Sequence, residues 1–290
     1  MSEKNTESIN SSKVYTLYYA FFLIPLLITI FGVMFFFMFK VLTYETSSPD
    51  EYLTDIQIGS ATKRWQSAFE LSKLLSHPEL VPNDAGFRNK MISIYRNSIH
   101  DDPMVRTYMA LAMGQTGQQE YGSVLIDGLN DKDNGSRLAA IQALGILRYT
   151  SAVKGIQKFV AEKYSNAERL AAAIALGNIG DKSTIPILKK LLDDEEPNLR
   201  WDAAIALAKL EDSSGNDVIV NLLDRSYFDH FNEVNSDEED QAILIAIQIS
   251  SQFPSKSFVK NLLTLATFDK NMQIRDLAIK TLDKTYNRKI

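Results

Sequence analysis

Two hydrophobic patterns divide this chain. From Leu17 to Phe39 no position carries a charge, and the run reads Leu17-Tyr18-Tyr19-Ala20-Phe21-Phe22 through Pro25 to Phe35-Phe36-Phe37-Met38-Phe39. Beyond residue 60 the pattern becomes amphipathic and recurrent. It gives Arg137-Leu138-Ala139-Ala140-Ile141-Gln142-Ala143-Leu144-Gly145, then Arg169-Leu170-Ala171-Ala172-Ala173-Ile174-Ala175-Leu176-Gly177, then Arg200-Trp201-Asp202-Ala203-Ala204-Ile205-Ala206-Leu207, with the arginines 32 and 31 residues apart. Apolar positions inside each block recur at helical spacing. A period of this size predicts stacked helical hairpins, each of which buries its apolar face only against its neighbours.

As a helix, the first stretch would be about 34 Å long, enough to cross a hydrocarbon core of about 30 Å. Tyr15, Tyr18 and Tyr19 at one end and Tyr44 beyond the other suit interfacial belts. Pro25 is tolerated in such a helix and can kink it. A cleaved signal peptide would have a shorter apolar region ending in a small-x-small site. Here the run passes into Lys40-Val41-Leu42-Thr43-Tyr44, which offers none. The reading is therefore a retained single-pass transmembrane helix at 17–39 behind a short polar tail at 1–16. Lys4 and Lys13 precede the span and Lys40 alone follows closely. That asymmetry favours a repeat domain outside the cytoplasm, which for a bacterial inner membrane is the periplasm. The margin is one base, and the opposite orientation stays open.

Residues 40–60 read as a linker with one short helix, opened by Ser48-Pro49-Asp50-Glu51 and stopped at Gly59. The repeat domain follows at 61–290, because Arg64-Trp65-Gln66-Ser67-Ala68-Phe69-Glu70-Leu71 mirrors Arg200-Trp201-Asp202-Ala203-Ala204-Ile205-Ala206-Leu207. First helices are predicted near 61–76, 103–115, 134–148, 166–179, 197–210, 238–251 and 272–285. Each of the first six is followed by a second amphipathic stretch, as in Ile185, Leu188 and Leu192. Gly180-Asp181 marks a tight turn, and Asp102-Pro103 and Glu196-Pro197 mark helix starts. No stretch keeps strand alternation. The predicted fold is all-α: a right-handed α-solenoid of helical hairpins on one uninterrupted apolar spine, preceded by a single transmembrane helix.

The chain has 290 residues and a net charge of −5, which argues against a protein that tracks phosphates along a nucleic acid. With no cysteine there is neither disulfide nor thiolate metal site, a composition that fits cytosol and periplasm equally. His77, His100 and His230 stand far apart, and no pair has ligand spacing. No phosphate loop, nucleophile elbow or dinucleotide fingerprint is present. The run Asp193-Asp194-Glu195-Glu196 falls where a turn between repeats is expected and reads as a solvated loop. Neither a metal nor a cofactor is expected.

Paired helices of this period, Arg in the first helix, Ala-Ala-x-Ala-Leu-Gly and then Gly-Asp together resemble HEAT repeats of the phycobilisome-lyase type. The resemblance spans about 61–285. It implies a helical-hairpin solenoid but no particular activity, because adaptors, chaperone-like scaffolds and some enzymes share it. HEAT-type iron hydroxylases build their metal site from repeated His-Glu pairs. Here the residues after the histidines are Pro78, Asp101 and Phe231, so that pattern is missing.

Three sets of residues remain as candidates. Arg106, Arg137, Arg169, Arg200 and Arg275 recur at one repeat position and are expected to pair with carboxylates or carbonyls at the turns, such as Asp102, Asp133 or Glu196. The rhythm breaks between Leu223 and Ile243, where an insertion near 225–237 brings Tyr227, Phe228 and Phe231. Insertions in solenoids map to loops on one face, so these rings are either anchors for a partner or a cap on the neighbouring helices. Lys154, Lys158, Lys189 and Lys190 lie on the second helices, the default docking face of such an array. The expected function is a membrane-anchored scaffold or adaptor, not an enzyme, that binds a membrane-associated protein partner along its surface. Nucleic acid is not expected as a partner. By resemblance alone, the alternative is a bilin lyase or isomerase, and a passive spacer in a membrane complex is a third reading.

Overall fold

The computed structural model describes residues 18–42, 48–231 and 234–289. The chain divides into two compact units, Met1–Ser48 and Pro49–Ile290. The predicted tail at 1–16, with Tyr15, and the segment carrying Tyr44 lie outside the described residues.

In the first unit a π-helical turn, Tyr19–Leu23, runs into helix α1, Ile24–Leu42. Pro25 has no amide hydrogen and its ring would press on the carbonyl of the preceding turn. A π turn answers both needs, with the Ile24 N–H donating to the Tyr19 carbonyl. Thr29 donates its hydroxyl to the Pro25 carbonyl at 2.9 Å, so a polar group within the apolar stretch is satisfied locally. Tyr19–Phe39 has a mean hydropathy of 2.6 and no buried residues, which is long and apolar enough to cross a membrane by length and composition.

The second unit is an all-α array. Its first helices are α3 (Ala61–Leu74), α5 (Pro103–Gln115), α7 (Asn134–Ile146), α9 (Asn166–Ile179), α11 (Pro197–Lys209), α14 (Ser236–Gln252) and α16 (Met272–Tyr286). The second helices are α4 (Ala85–Asn97), α6 (Gly122–Gly128), α8 (Val153–Gln157), α10 (Ile185–Leu191), α12 (Asn216–Leu222) and α15 (Val259–Phe268). Two more helices complete it: α2 (Pro49–Ile58) at the start and the short α13 (Arg225–Phe228) in the insertion. The α2 segment, read from the sequence as a linker helix, packs as part of this unit, with Leu53 and Ile56 fully buried.

Each first helix is started by a polar cap. Ser60, Asp102, Asp133, Ser165, Glu196, Asn235 and Asn271 all accept a backbone N–H from the turn they open. Gly180 ends α9 in the left-handed region with φ +81°, as the Gly-Asp junction predicts. First helices stack through small residues. A Cβ on Gly145 would lie 2.8 Å from the Ala175 Cα, and one on Gly177 would lie 2.7 Å from the Ala206 Cα.

The core departs from the predicted single spine. One apolar cluster runs from Leu53 to Leu210 and a second from Trp201 to Leu282. The boundary passes through α11: Leu199, Ala203 and Leu207 face the first cluster, whereas Trp201, Ala204 and Ala208 face the second. In a regular array α11 and α14 would be stacked neighbours, but they scarcely touch. The insertion supplies the reason, since its extra residues separate the two helices.

Candidate functional site

The repeated arginines are consumed at the turns. Arg106 pairs with Asp131 at 2.5 Å and Arg169 pairs with Asp194. Arg137 donates Nε–H to Glu168 at 2.8 Å and also donates to the Asp131 carbonyl at 2.9 Å. Arg200 donates to the Asp194 carbonyl at 2.7 Å, and Arg275 donates to the Asp269 carbonyl. Asp131, Asp194 and Asp269 are therefore each gripped twice, by one arginine on the carboxylate and by the next on the carbonyl. Arg225, in the insertion, is the carboxylate partner of Asp269 at 2.6 Å and also binds Glu239 and Asp240. Burial opposes its charge, but the three carboxylates outweigh that and raise its pKa.

These partners correct the sequence expectation. Asp102, Asp133 and Glu196 stand two residues or one residue beyond the carboxylates that the turns use, and they cap helices instead. A cap oxygen aimed at the helix amides is turned away from the guanidinium. Arg106, Arg137 and Arg169 are held on carboxylates, whereas Arg200 and Arg275 are held by backbone carbonyls.

The insertion folds inward upon Trp201. The Trp201 ring meets Phe231 edge-on at 5.6 Å between centroids and Phe228 at 5.8 Å, while Tyr227 meets Phe231 at 5.0 Å. Phe228 is buried, so it cannot serve as the exposed anchor that the sequence allowed. Tyr227 and Phe231 are half-buried. Of the two readings left open for these rings, this geometry is the local cap, with Phe231 also forming part of a groove wall.

That groove lies where α11 and α14 part, and its volume is about 970 Å³. One wall is α11 with Asn198, Trp201, Asp202 and Ile205, and the other is α14 with Glu238, Gln241, Ala242 and Ile245. Both walls use the same helical spacing, with steps of three, four and seven residues, so each presents a single face. Leu222 lies below, and His230, Phe231 and Val234 close one end. Glu196, Asp202, Asp237 and Glu238 contribute carboxylates, and no Lys or Arg among the described residues lines the groove. The helix starts form its acidic end, and Ile205 and Ile245 its apolar end.

Asp202 is the unusual member. Burial pushes its carboxyl up to about 6, and the charge of Lys209 only partly opposes this. Aligned blocks hold Ala139 and Ala171 where Asp202 stands, and Leu138 and Leu170 where Trp201 stands. Those two departures from the repeat pattern were visible in the sequence, but their meeting with α14 was not.

The lysines predicted for docking are scattered. Lys189 is paired with Asp212 at 3.0 Å, and Lys158 donates to Asn130 at 3.1 Å while lying over the Phe159 ring. Lys154 and Lys190 are exposed. The structure brings none of them to the groove, which is walled by first helices. The three histidines are exposed, and the described residues contain no cluster of three or more His, Cys, Asp or Glu suited to a metal ion.

The chain matches the family of HEAT repeats over residues 89–166 and 156–230. Residues 89–230 are HEAT repeats. No curated relative matches it by sequence. Its fold is similar to that in the complex of CpcE and CpcF of phycocyanin lyase from Nostoc sp. PCC7120. That likeness has 19% identity and a TM-score of 0.56, covering 84% of this chain and 96% of the other. It is also similar to an engineered protein at 18% identity, with a TM-score of 0.45 over 70% of this chain and 96% of the other. A computationally designed armadillo repeat protein for peptide recognition gives 16% identity and a TM-score of 0.40, over 82% and 99%. The likeness to the phycocyanin lyase complex shows the solenoid fold and nothing finer.

Proposed function

We propose that this chain is a membrane-anchored HEAT-repeat adaptor that holds a protein partner in the groove between α11 and α14. The observation that carries the reading is the interruption itself. Where a regular array would bury α11 against α14, this chain leaves two helix faces apart and lines them with Trp201, Asp202, Ile205 and Ile245. Aromatic and aliphatic side chains in a concave surface are the anchoring material of protein interfaces. An anchor through Tyr19–Phe39 would raise the effective concentration of the array at membrane-associated partners, so modest affinity would suffice. The likeness to phycocyanin lyase supports a lyase reading only through the fold. A bilin carries propionate carboxylates, which a groove with four carboxylates and, among the described residues, no Lys or Arg would repel.

The test is a photo-cross-linking residue at Ile205 or Ile245 in the full chain, irradiated in native membranes. The expected product is a discrete protein adduct from both positions and none from exposed Lys154. Recovery of the uncrosslinked chain alone, or equal adducts from Lys154, would count against the reading. Sedimentation with membranes after alkaline wash tests the anchor, and release into the supernatant would refute it.

A further inference from the structure

The groove also specifies what kind of segment it takes, an inference that rests on the adaptor reading above. We propose that its occupant is a cationic amphipathic helix of a partner protein, with Lys or Arg one turn from its aliphatic residues. Three observations converge on that chemistry. The space stands between two helices that would otherwise be stacked neighbours, so a further helix restores the packing that the insertion interrupts. The wall residues from Asn198 to Ile205 span two turns, about 10 Å along α11, and α14 offers the same length from Glu238 to Ile245. The lining is ordered along that length, with carboxylates at the helix starts and isoleucines toward the other end.

Charge complementarity selects the occupant. Glu196 and Glu238 also cap their own helices, and so are partly occupied. Asp202 makes no hydrogen bond within the chain's described residues and is half-buried between Trp201 and Ile205. A carboxylate held in that position with no hydrogen-bond partner strengthens any cation that reaches it, because water is largely excluded from one side. An acidic helix would meet four carboxylates, and a wholly apolar one would leave Asp202 desolvated and unpaired.

The chain has two tryptophans, Trp65 and Trp201, and only Trp201 lines the groove. The experiment therefore follows Trp201 emission in the full-length, detergent-solubilised Trp65→Phe variant. The probes are a synthetic leucine-lysine amphipathic helix and its leucine-glutamate counterpart. The leucine-lysine helix should shift Trp201 emission saturably. Asp202→Asn with Asp237→Asn should weaken it at least tenfold, whereas Glu70→Gln with Asp276→Asn, which removes the same charge from remote exposed positions, should change it less than twofold. No saturable shift, equal binding of the leucine-glutamate helix, or equal loss in both double variants would overturn the proposal. The cross-linking at Ile205 and Ile245 is scored separately. Adducts there without leucine-lysine binding would leave the adaptor reading standing and remove only the cationic helix.

Discussion

The Trp201 indole N–H donates to the Tyr227 hydroxyl across 3.3 Å, joining α11 to the insertion that follows α12. Trp201 is 9% exposed and belongs to the second apolar cluster, not to the first. Trp201→Ala should therefore cost about 3–5 kcal/mol, and Tyr227→Phe about 1 kcal/mol. In a solenoid such losses stay local. Amide hydrogen exchange should show lost protection in α14 to α16 with α5 to α9 unchanged. A uniform loss along the array would mean that the two clusters behave as one.

A second prediction concerns the stacking of first helices. Gly145→Ala would place a methyl group 2.8 Å from the Ala175 Cα and Cβ, which are held by the helix and cannot swing aside. Overpacking of this kind costs about 1–3 kcal/mol, despite the better helix propensity of alanine. Ala175→Gly in the same chain should relieve part of it. Thermal unfolding followed by circular dichroism would read the singles and the double. An unchanged midpoint for Gly145→Ala would show that the helices can separate freely.

Much of this was legible in advance because a repeat writes its core many times. The spacing of Arg137, Arg169 and Arg200 placed α7, α9 and α11. The groove was not legible, for a physical reason. Periodicity reports what neighbours share, whereas the groove exists because Trp201 and Asp202 replace the common leucine and alanine just where an insertion pushes α14 away. The aromatic insertion drew attention to itself as a surface, but Phe228 is buried, since apolar rings next to a large indole gain more from covering it than from facing water. The turn arginines were placed correctly in kind and wrongly in partner. Two acids stand within two residues of each other at Asp131 and Asp133, and sequence alone does not say which one is committed to the helix amides.

That commitment yields a third prediction. Arg106 and the Asp131 side chain are both nearly buried, and the Asp131 carbonyl is held by Arg137. Asp131→Ala removes one partner and leaves a buried guanidinium, so it should cost about 3–5 kcal/mol. Asp133→Ala, two residues away, removes only a helix cap and should cost about 1 kcal/mol. Chemical denaturation of the two variants side by side separates the roles. If Asp133→Ala proved the costlier, the cap and not the ion pair would be holding the turn.

The last prediction follows from Asp202. Its folded pKa is raised to about 6 from an ordinary 3.8, because burial disfavours the charged form more than Lys209 restores it. The folded chain thus holds this proton more tightly than the unfolded chain does. The penalty is fully present above pH 6 and disappears as pH falls toward the unfolded value. Its size is at most about 3 kcal/mol, and about 1–2 kcal/mol once the open side of the groove screens the charge. Asp202→Asn should accordingly be more stable than the natural chain at pH 7.5 by that amount and indistinguishable from it near pH 4. Glu196, Asp237 and Glu238 also line the groove and remain in both chains. A carboxylate that costs stability at neutral pH is best explained by what it binds. A cationic helix seated beside Asp202 should restore its charge and release a proton near pH 6. Calorimetry in two buffers of different ionisation enthalpy would detect this. Equal heats in both buffers, together with an Asp202→Asn variant no more stable than the natural chain at pH 7.5, would show that the carboxyl is charged and solvated before anything binds.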